Sequence, residues 1–246
     1  MSENLTKLIA TLTSVAQDGK LAIAYSGGVD STILKEVALL AGLDVLPLTF
    51  DLDKSMEIEE VRNNDRERCY YCKSLMMRSL KAEAISRGYN VLCDGTNADD
   101  LGEYRPGLRA LKENGVISPI ALTGLTKAEL RSIGRELSLD AADKPSSPCL
   151  LTRFPYDTPV SKEMLSAVAA AEDMVKSAGT DNCRVRIFGN LSLIELPKDI
   201  LGSYNFSDSL KNDLLSILSP IGVSNIEIDP KGLRSGRMDE QGEQNG

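Results

Sequence analysis

The sequence of 246 residues contains no histidine and no tryptophan, and aromatic residues make up 4% of it. The missing histidine removes the side chain that most often acts as an acid or base near neutral pH. It also removes a common metal ligand, so any transition metal would be bound by cysteine or carboxylate side chains. The length is sufficient for one large or two modest domains, each with a buried core.

Basic charge is also scarce, because 36 acidic residues outnumber 28 basic ones and give a net charge of −8. A broad basic surface for duplex nucleic acid is therefore not expected, and phosphate binding would have to be local. No apolar run is long enough to span a bilayer, and residues 1–7 do not lead into a secretory signal. The odd count of 5 cysteines argues against a disulfide framework and for a reducing compartment. These features predict a cytoplasmic protein with no membrane partner.

The most informative stretch is an apolar run, Leu21–Tyr25, that leads directly into Ser26–Ser31 and then into an apolar helical pattern. A strand, a glycine turn and a helix start form an anion site, because the first N–H groups of a helix have no internal partner. Gly27 and Gly28 let the backbone approach a phosphate closely. Asp30 beside a phosphate implies a bridging cation such as Mg²⁺. The alternative is a plain strand–turn–helix link of any α/β protein.

Alternating strands and helices predict the fold class. Apolar strands are expected at Val45–Phe50, Asn90–Asp94 and Val116–Ile120, with helices between them. This rhythm predicts an α/β, Rossmann-like parallel sheet that has helices on both faces and binds ligands at the carboxyl ends of its strands. Gly95 follows one of these strands and would lie at that edge, although an ordinary Asn/Asp turn is the alternative there.

The cysteines fall into two informative places. Cys69 and Cys72 form a CxxC pattern on a predicted loop that opens a helix at about Ser74, a placement that suits metal binding or redox exchange. The alternative is two incidental buried cysteines. Cys149 lies in a proline-rich stretch, residues 144–159, where an extended backbone would display it at the surface.

The same proline-rich stretch predicts a domain boundary, with a first domain at residues 1–155 and a smaller α+β domain at residues 156–246. In the second domain, Gly189 and Asn190 separate two predicted strands and indicate a hairpin. Arg184 and Arg186 alternate on one face of the first of these strands and are expected to point outward. They could form a clamp for phosphate or carboxylate, or simply a solvated strand face.

Three thiols and a phosphate-type loop call for a common explanation. Four-iron clusters are normally held by four thiolates, so three would leave one iron able to bind a mobile sulfide. If the loop binds ATP, adenylation of a carboxylate or an amide-like oxygen would create an electrophile that accepts this sulfur, because AMP is a good leaving group. Zinc also accepts three cysteines and an exogenous ligand, so the count of thiols leaves the metal open.

Two resemblances to known proteins follow from these residues. Ser26–Ser31 resembles the PP-loop, SGGxDS, of the ATP pyrophosphatase superfamily, in which pyrophosphate leaves and AMP is transferred. Several further segments resemble the LarE family: Arg68–Lys73, Asp94–Asp100, Arg105–Arg109, Ser146–Arg153, Arg184–Arg186 and Arg234–Gly236. Together they extend over residues 22–238, nearly the whole chain.

LarE proteins are ATP-dependent sulfur transferases that build the nickel-pincer nucleotide cofactor of lactate racemase. The resemblance implies adenylation of a carboxylate of pyridinium-3,5-biscarboxylic acid mononucleotide and its conversion to a thiocarboxylate. One branch of the family gives up the sulfur of the counterpart of Cys149, and the other binds a [4Fe-4S] cluster through three cysteines. Cys69, Cys72 and Cys149 resemble the cluster branch, which would use sulfide or another sulfur donor, whereas Cys93 and Cys183 match no cluster pattern.

The resemblance also implies roles for single residues. The catalytic residues would be Cys149, Cys69, Cys72 and Asp30. Contacts to ATP and Mg²⁺ would come from the loop and from the glycine after the third strand, that is from Ser26, Gly27, Gly28, Asp30, Ser31 and Gly95. Arg184 and Arg186 would hold the substrate phosphate, and Glu172 a cation. Members of the family assemble into homo-oligomers, often hexamers.

Three other functions compete with this interpretation. An iron–sulfur tRNA thiolase of the same superfamily is disfavoured by the acidic charge and by the lack of an added RNA-binding module. Amidating relatives such as NAD or GMP synthetases use ammonia and have no need for three placed cysteines. A nucleotide-binding sensor with structural zinc would bind zinc and release no pyrophosphate.

Overall fold

The fold was analysed in a computed structural model that describes residues 1–102, 106–145 and 148–234. Several residues of the family-like segments lie outside the described residues: Arg105, Ser146, Ser147, Ser235 and Gly236. In chain order the helices and strands are α1 Glu3–Val15, β1 Lys20–Ala24, α2 Val29–Leu40, β2 Asp44–Leu48, α3 Glu59–Arg62, α4 Arg68–Ser86, β3 Leu92–Cys93, α5 Pro106–Glu113, α6 Pro119–Thr123, α7 Lys127–Glu136, α8 Lys162–Ser177, β4 Arg184–Phe188, β5 Leu191–Glu195, α9 Asp208–Leu218 and β6 Asn225–Ile228.

The chain divides into two compact units. The first comprises Met1–Ile58 with Glu67–Ser147, and the second comprises Glu59–Arg66 with Pro148–Gly246. The domain boundary predicted between residues 155 and 156 stays a prediction. Within the described residues, no helix combines the length and the apolar character that crossing a bilayer requires.

The first unit is built on a parallel sheet with the strand order β2–β1–β3. Leu21 and Ile23 of β1 pack into one core cluster with α1, α2 and α7, whereas Ala22 packs into a second cluster with α4. Because successive side chains of a strand point to opposite faces, this division places helices on both faces of the sheet. The α/β, Rossmann-like fold class is therefore confirmed.

Two of the predicted element boundaries in this unit are wrong. The strand expected at Val116–Ile120 is reduced to a single parallel bridge between Cys93 and Ile117, because Pro119 occupies the start of α6 and ends the extended backbone. The helix expected from Ser74 begins instead at Arg68, so Cys69 and Cys72 lie in its first two turns and not on a loop.

The second unit is an α+β arrangement whose sheet has the order β4–β5–β6. Strands β4 and β5 are antiparallel with Phe188 opposite Leu191, which leaves Gly189 and Asn190 as a two-residue turn, and the predicted hairpin is confirmed. Gly189 has a φ of 59°, the backbone conformation that this kind of turn requires. Helices α8 and α9 bury apolar side chains with this sheet, among them Val168, Val175, Leu214 and Leu218.

Helices α2 and α7 approach each other closely at Gly134. A Cβ atom at this position would lie 2.8 Å from Ile33 Cδ1 and 2.9 Å from Ala142 Cβ, closer than two carbon atoms can pack. The glycine therefore sets the distance between the two helices, one of which begins at the phosphate-type loop.

We expect Gly134→Ala to destabilise the protein. Overpacking of this kind costs about 1–3 kcal/mol, whereas the gain in helix propensity is about 1 kcal/mol. Gly107→Ala in α5 is the matched control, because its Cβ would meet only ordinary contacts, the nearest at 3.6 Å from Lys73 Cδ. Urea unfolding followed by circular dichroism should show a lower midpoint for Gly134→Ala and an unchanged or higher one for Gly107→Ala. Equal midpoints for the two variants would contradict the packing argument.

Candidate functional site

The loop Ser26–Gly28 connects β1 to the N-terminus of α2, with Gly28 as the helix N-cap and Gly27 at a φ of 71°. Ser31 Oγ lies 3.1 Å from Ser26 Oγ and donates to the carbonyl oxygen of Gly28 at 3.2 Å. The N–H of Gly28 donates to Ser26 Oγ at 3.3 Å. These bonds hold the loop in a fixed shape in front of the helix N-terminus, which favours negative charge.

Asp30 lies in the first turn of α2 with one carboxylate oxygen engaged. Oδ2 accepts a hydrogen bond from Asn97 Nδ2 at 3.2 Å, whereas the buried Oδ1 has no hydrogen-bond partner among the described residues. Burial raises the pKa of Asp30, and the charge of Lys127 and the bond from Asn97 oppose this shift. A buried carboxylate oxygen without a donor fits a Mg²⁺ ion, which prefers oxygen ligands.

Gly95 lies against the same helix turn. A Cβ atom on this residue would be 3.0 Å from the backbone N of Ser31 and 3.2 Å from the backbone C of Asp30. Only a glycine therefore allows the end of β3 to approach the start of α2 this closely. The loop residues Ser26, Gly27, Gly28, Asp30, Ser31 and the predicted Gly95 are thus brought together at the carboxyl edge of the sheet.

The buried Asp94 connects this edge to α4. Its Oδ1 accepts from Ser118 Oγ at 2.6 Å and its Oδ2 accepts from Thr96 Oγ1 at 2.6 Å. Lys73 Nζ, one residue beyond Cys72, lies 3.5 Å from the same Oδ2. The helix that carries the CxxC pattern is therefore bonded to the segment that packs on the phosphate-type loop.

The first turn of α4 is also anchored to α5. Arg109 Nη2 lies 2.6 Å from Glu67 Oε2, and its guanidinium lies over the Tyr70 ring at 3.9 Å from the centroid. Tyr70 Oη donates to Glu113 Oε2 at 2.6 Å.

Cys69 is exposed and Cys72 is half-buried. Since they are three residues apart on a helix, they lie on neighbouring positions of one surface.

In the second unit, Cys149 is exposed and precedes a single 3₁₀ turn, Leu150–Arg153. Arg153 of this turn pairs with Glu172 of α8 through two bonds, Nε to Oε1 at 2.6 Å and Nη2 to Oε2 at 3.1 Å. Glu172 Oε1 also accepts the N–H of Val185 at 3.0 Å. The guanidinium of Arg153 therefore already pairs with the buried carboxylate of Glu172. The predicted cation at Glu172 stays a prediction.

The two arginines of β4 have different surroundings. Arg186 is 2% exposed, and its Nε lies 2.9 Å from Oε1 of the fully buried Glu195. The expectation that it points outward is therefore wrong, since a carboxylate on the next strand compensates its charge inside the unit. Arg184 is half-buried and donates from Nη1 to the carbonyl oxygen of Arg234 at 2.8 Å. Burial, followed by the charges of Arg186 and Arg153, lowers the pKa of Arg184.

The five cysteines all lie in the described residues, and no disulfide joins any of them. Cys69 and Cys72 belong to the first unit and Cys149 to the second. Over residues 1–102, 106–145 and 148–234, no group of three or more cysteine, aspartate and glutamate side chains is arranged to hold a metal ion. Cys69, Cys72 and Cys149 are exposed or half-buried and each could offer a thiolate to a metal, whereas Cys93 and Cys183 are buried.

Sequence reasoning did not identify three of the residues that organise these sites. Asn97 is the partner of Asp30, Asp94 links Lys73 to the strand edge, and Arg153 neutralises Glu172. Asp94, Asn97 and Arg153 lie in segments that resemble the LarE family, but the sequence did not show which residues they contact. Their partners are distant in the sequence, which explains why no local pattern assigned their roles.

The thiols should differ sharply in reactivity. Burial raises the pKa of Cys93 and of Cys183 to about 12. At pH 8 this leaves about one thiol in ten thousand ionised at each position, and the thiolate is the reactive form. In metal-free, reduced protein treated with iodoacetamide, mass spectrometry should find Cys69 and Cys149 modified and Cys93 and Cys183 intact. Modification of Cys93 as fast as that of Cys149 would contradict this assignment.

Comparison with known proteins places the chain in a family. No family model matches it. It is 35% identical to an uncharacterized protein of Synechocystis over 88% of this chain and 90% of that protein, and 32% identical to one of Methanocaldococcus jannaschii over 80% and 86%. It is also 30% identical to the pyridinium-3,5-bisthiocarboxylic acid mononucleotide synthase of Lactiplantibacillus plantarum, which is LarE, over 94% of this chain and 93% of the synthase. The chain is therefore an enzyme of the LarE family, within the PP-loop ATP pyrophosphatase superfamily.

Proposed function

We propose that this enzyme is an ATP-dependent sulfur transferase that acts on pyridinium-3,5-biscarboxylic acid mononucleotide in the biosynthesis of the nickel-pincer nucleotide. The name of the Lactiplantibacillus relative supports this substrate class, since its product is the bisthiocarboxylic acid mononucleotide. The observation that carries the ATP-dependent step is the segment Ser26–Ser31, in which Oδ1 of Asp30 has no hydrogen-bond partner among the described residues.

The proposed reaction has two stages. A carboxylate oxygen of the substrate attacks the α-phosphorus of ATP, the bond to the bridging oxygen breaks, and pyrophosphate leaves. Sulfide then adds to the acyl carbon of the adenylate, the acyl C–O bond to AMP breaks with AMP as the leaving group, and a thiocarboxylate remains. An oxygen of a free carboxylate is a poor leaving group. After adenylation this oxygen leaves as part of AMP.

Residues of the first unit would carry out the first stage. The loop N–H groups and the hydroxyls of Ser26 and Ser31 would bind the phosphates, because the start of α2 and the serine hydroxyls present donors there. Asp30 would hold Mg²⁺, which neutralises charge on the phosphates when bound. Gly95 keeps the end of β3 against α2, so it would border the nucleotide without a side chain in its way.

The second stage depends on the three thiols. Cys69, Cys72 and Cys149 would bind a [4Fe-4S] cluster, which when bound supplies an iron with a position open to exogenous sulfide. We assign the contact with the substrate phosphate to Arg184, one of the two arginines of β4 that were predicted to make it. Arg186 is instead paired with the buried Glu195, whereas Arg184 forms no ion pair with a carboxylate of the described residues. Because the chemistry needs reduced thiols, we assign the enzyme to the cytoplasm, as a homo-oligomer like its family.

Asp30→Ala should block pyrophosphate formation. Loss of the only loop carboxylate removes the proposed Mg²⁺ ligand, and we expect the rate to fall by about 10²-fold or more. A coupled pyrophosphate assay with ATP and the biscarboxylic substrate measures this rate. Asp18→Ala is the control, because Asp18 is an exposed turn carboxylate that bonds to the N–H of Lys20. Normal pyrophosphate release by Asp30→Ala would refute the loop assignment.

Cys69→Ala, Cys72→Ala and Cys149→Ala should each abolish sulfur transfer and leave ATP binding intact. Each variant removes one of three proposed ligands, whereas the phosphate-type loop is unchanged. Thiocarboxylate product is followed by mass spectrometry, and ATP binding by calorimetry. Cys183→Ala is the control, because this thiol is buried within the second unit. Full activity of Cys69→Ala would reject the cluster and favour the route in which Cys149 gives up its own sulfur.

A further inference from the structure

The backbone at Cys149 is held by a single neighbour in its own turn. The carbonyl oxygen of Cys149 accepts the N–H of Thr152 at 3.0 Å and the hydroxyl Oγ1 of Thr152 at 2.7 Å. The same hydroxyl accepts a bond from Arg153 Nη1 at 2.8 Å. The position of Cys149 therefore follows the position of Thr152.

Thr152 is itself held by a buried arginine from β4. Arg186 Nη1 donates to the carbonyl oxygen of Thr152 at 2.7 Å. The Nε of the same guanidinium lies 2.9 Å from Glu195 Oε1, and the two side chains are 3% and 0% exposed. One planar group thus connects a fully buried carboxylate of β5 to the turn that displays Cys149.

The turn is also tied to α8 by the Arg153–Glu172 pair, with side chains 3% and 7% exposed. Two buried ion pairs in one small unit therefore converge on residues 149–153. Removing charges from water costs about as much as the pairing returns, so buried ion pairs are poor devices for stability alone. Because both ion pairs contact residues 149–153, we interpret them as fixing the position of this turn.

We infer that Arg186 is a positioning residue for Cys149, acting through the carbonyl oxygen of Thr152, with Glu195 compensating the charge of its buried guanidinium. Arg184 differs, because its Nη1 is bonded to the carbonyl oxygen of Arg234 and not to the turn. The inference rests on the proposed function only in giving Cys149 a chemical role. The geometry of the turn itself does not depend on that role.

Arg186→Lys tests this inference in the full chain. Lysine keeps the charge beside Glu195, but one ammonium lacks the fixed fork that reaches both the carboxylate and the carbonyl oxygen. Hydrogen–deuterium exchange is measured on metal-free protein without ATP or substrate. We expect the amides of residues 150–154 to exchange about tenfold faster or more, with those of β4 and β5 within about twofold of the wild type. Arg184→Lys, the matched control, should leave the turn unchanged.

A double variant, Arg186→Gln with Glu195→Gln, extends the test if the lysine variant does not fold. It removes both charges together and so leaves neither one buried alone. We expect the same local acceleration at residues 150–154. Wild-type exchange at the turn would overturn the inference, and so would equal acceleration throughout the second unit, which would mean that the pair only stabilises the fold.

Turnover separates positioning from substrate binding. With the biscarboxylic substrate, Arg186→Lys should lower kcat at an unchanged KM, whereas Arg184→Lys should raise KM. A raised KM at an unchanged kcat for Arg186→Lys would overturn the inference, since it would make Arg186 a substrate ligand. Because exchange is measured without substrate, an error in the proposed function would change the turnover results and not the exchange results.

Discussion

The close approach of Gly95 to the first turn of α2 is the constraint on which the first unit's site depends. A single Cβ at this position would meet the backbone of Ser31 at 3.0 Å. With the two segments in contact, Asn97 can bond to Asp30, and Asp94 can receive Lys73 from the helix of Cys69 and Cys72. The edge of one parallel sheet thereby joins the phosphate-type loop to the CxxC helix through hydrogen bonds within one unit.

The second unit carries an exposed cysteine, Cys149, next to a short turn. A turn of this kind has few apolar contacts, and its backbone would move readily without other restraints. Two buried carboxylate–arginine pairs supply those restraints at Thr152 and Arg153. Arg184 forms no ion pair with a carboxylate of the described residues, unlike Arg186, so we propose Arg184 for the contact with an anionic substrate.

Much of this architecture could be predicted from the sequence because it depends on local patterns. Apolar runs followed by glycine turns indicated the parallel sheet, and Gly189 with Asn190 indicated the hairpin. The exact start of α4 and the loss of a fourth strand could not be predicted, since Pro119 fits both a strand end and a helix start. The burial of Arg186 was not predicted, because its partner Glu195 lies on another strand. The alternation of residues along a strand does not show which face of the sheet other elements cover.

We propose that Cys69, Cys72 and Cys149 together bind an iron–sulfur cluster that delivers sulfur to the adenylated substrate. The most direct test is the metal and sulfide content of the enzyme after oxygen-free purification and reconstitution. We predict about four irons and four acid-labile sulfides per chain, because the proposed centre is of the [4Fe-4S] type. Stoichiometric zinc, or a chain that retains neither iron nor sulfide, would contradict the claim.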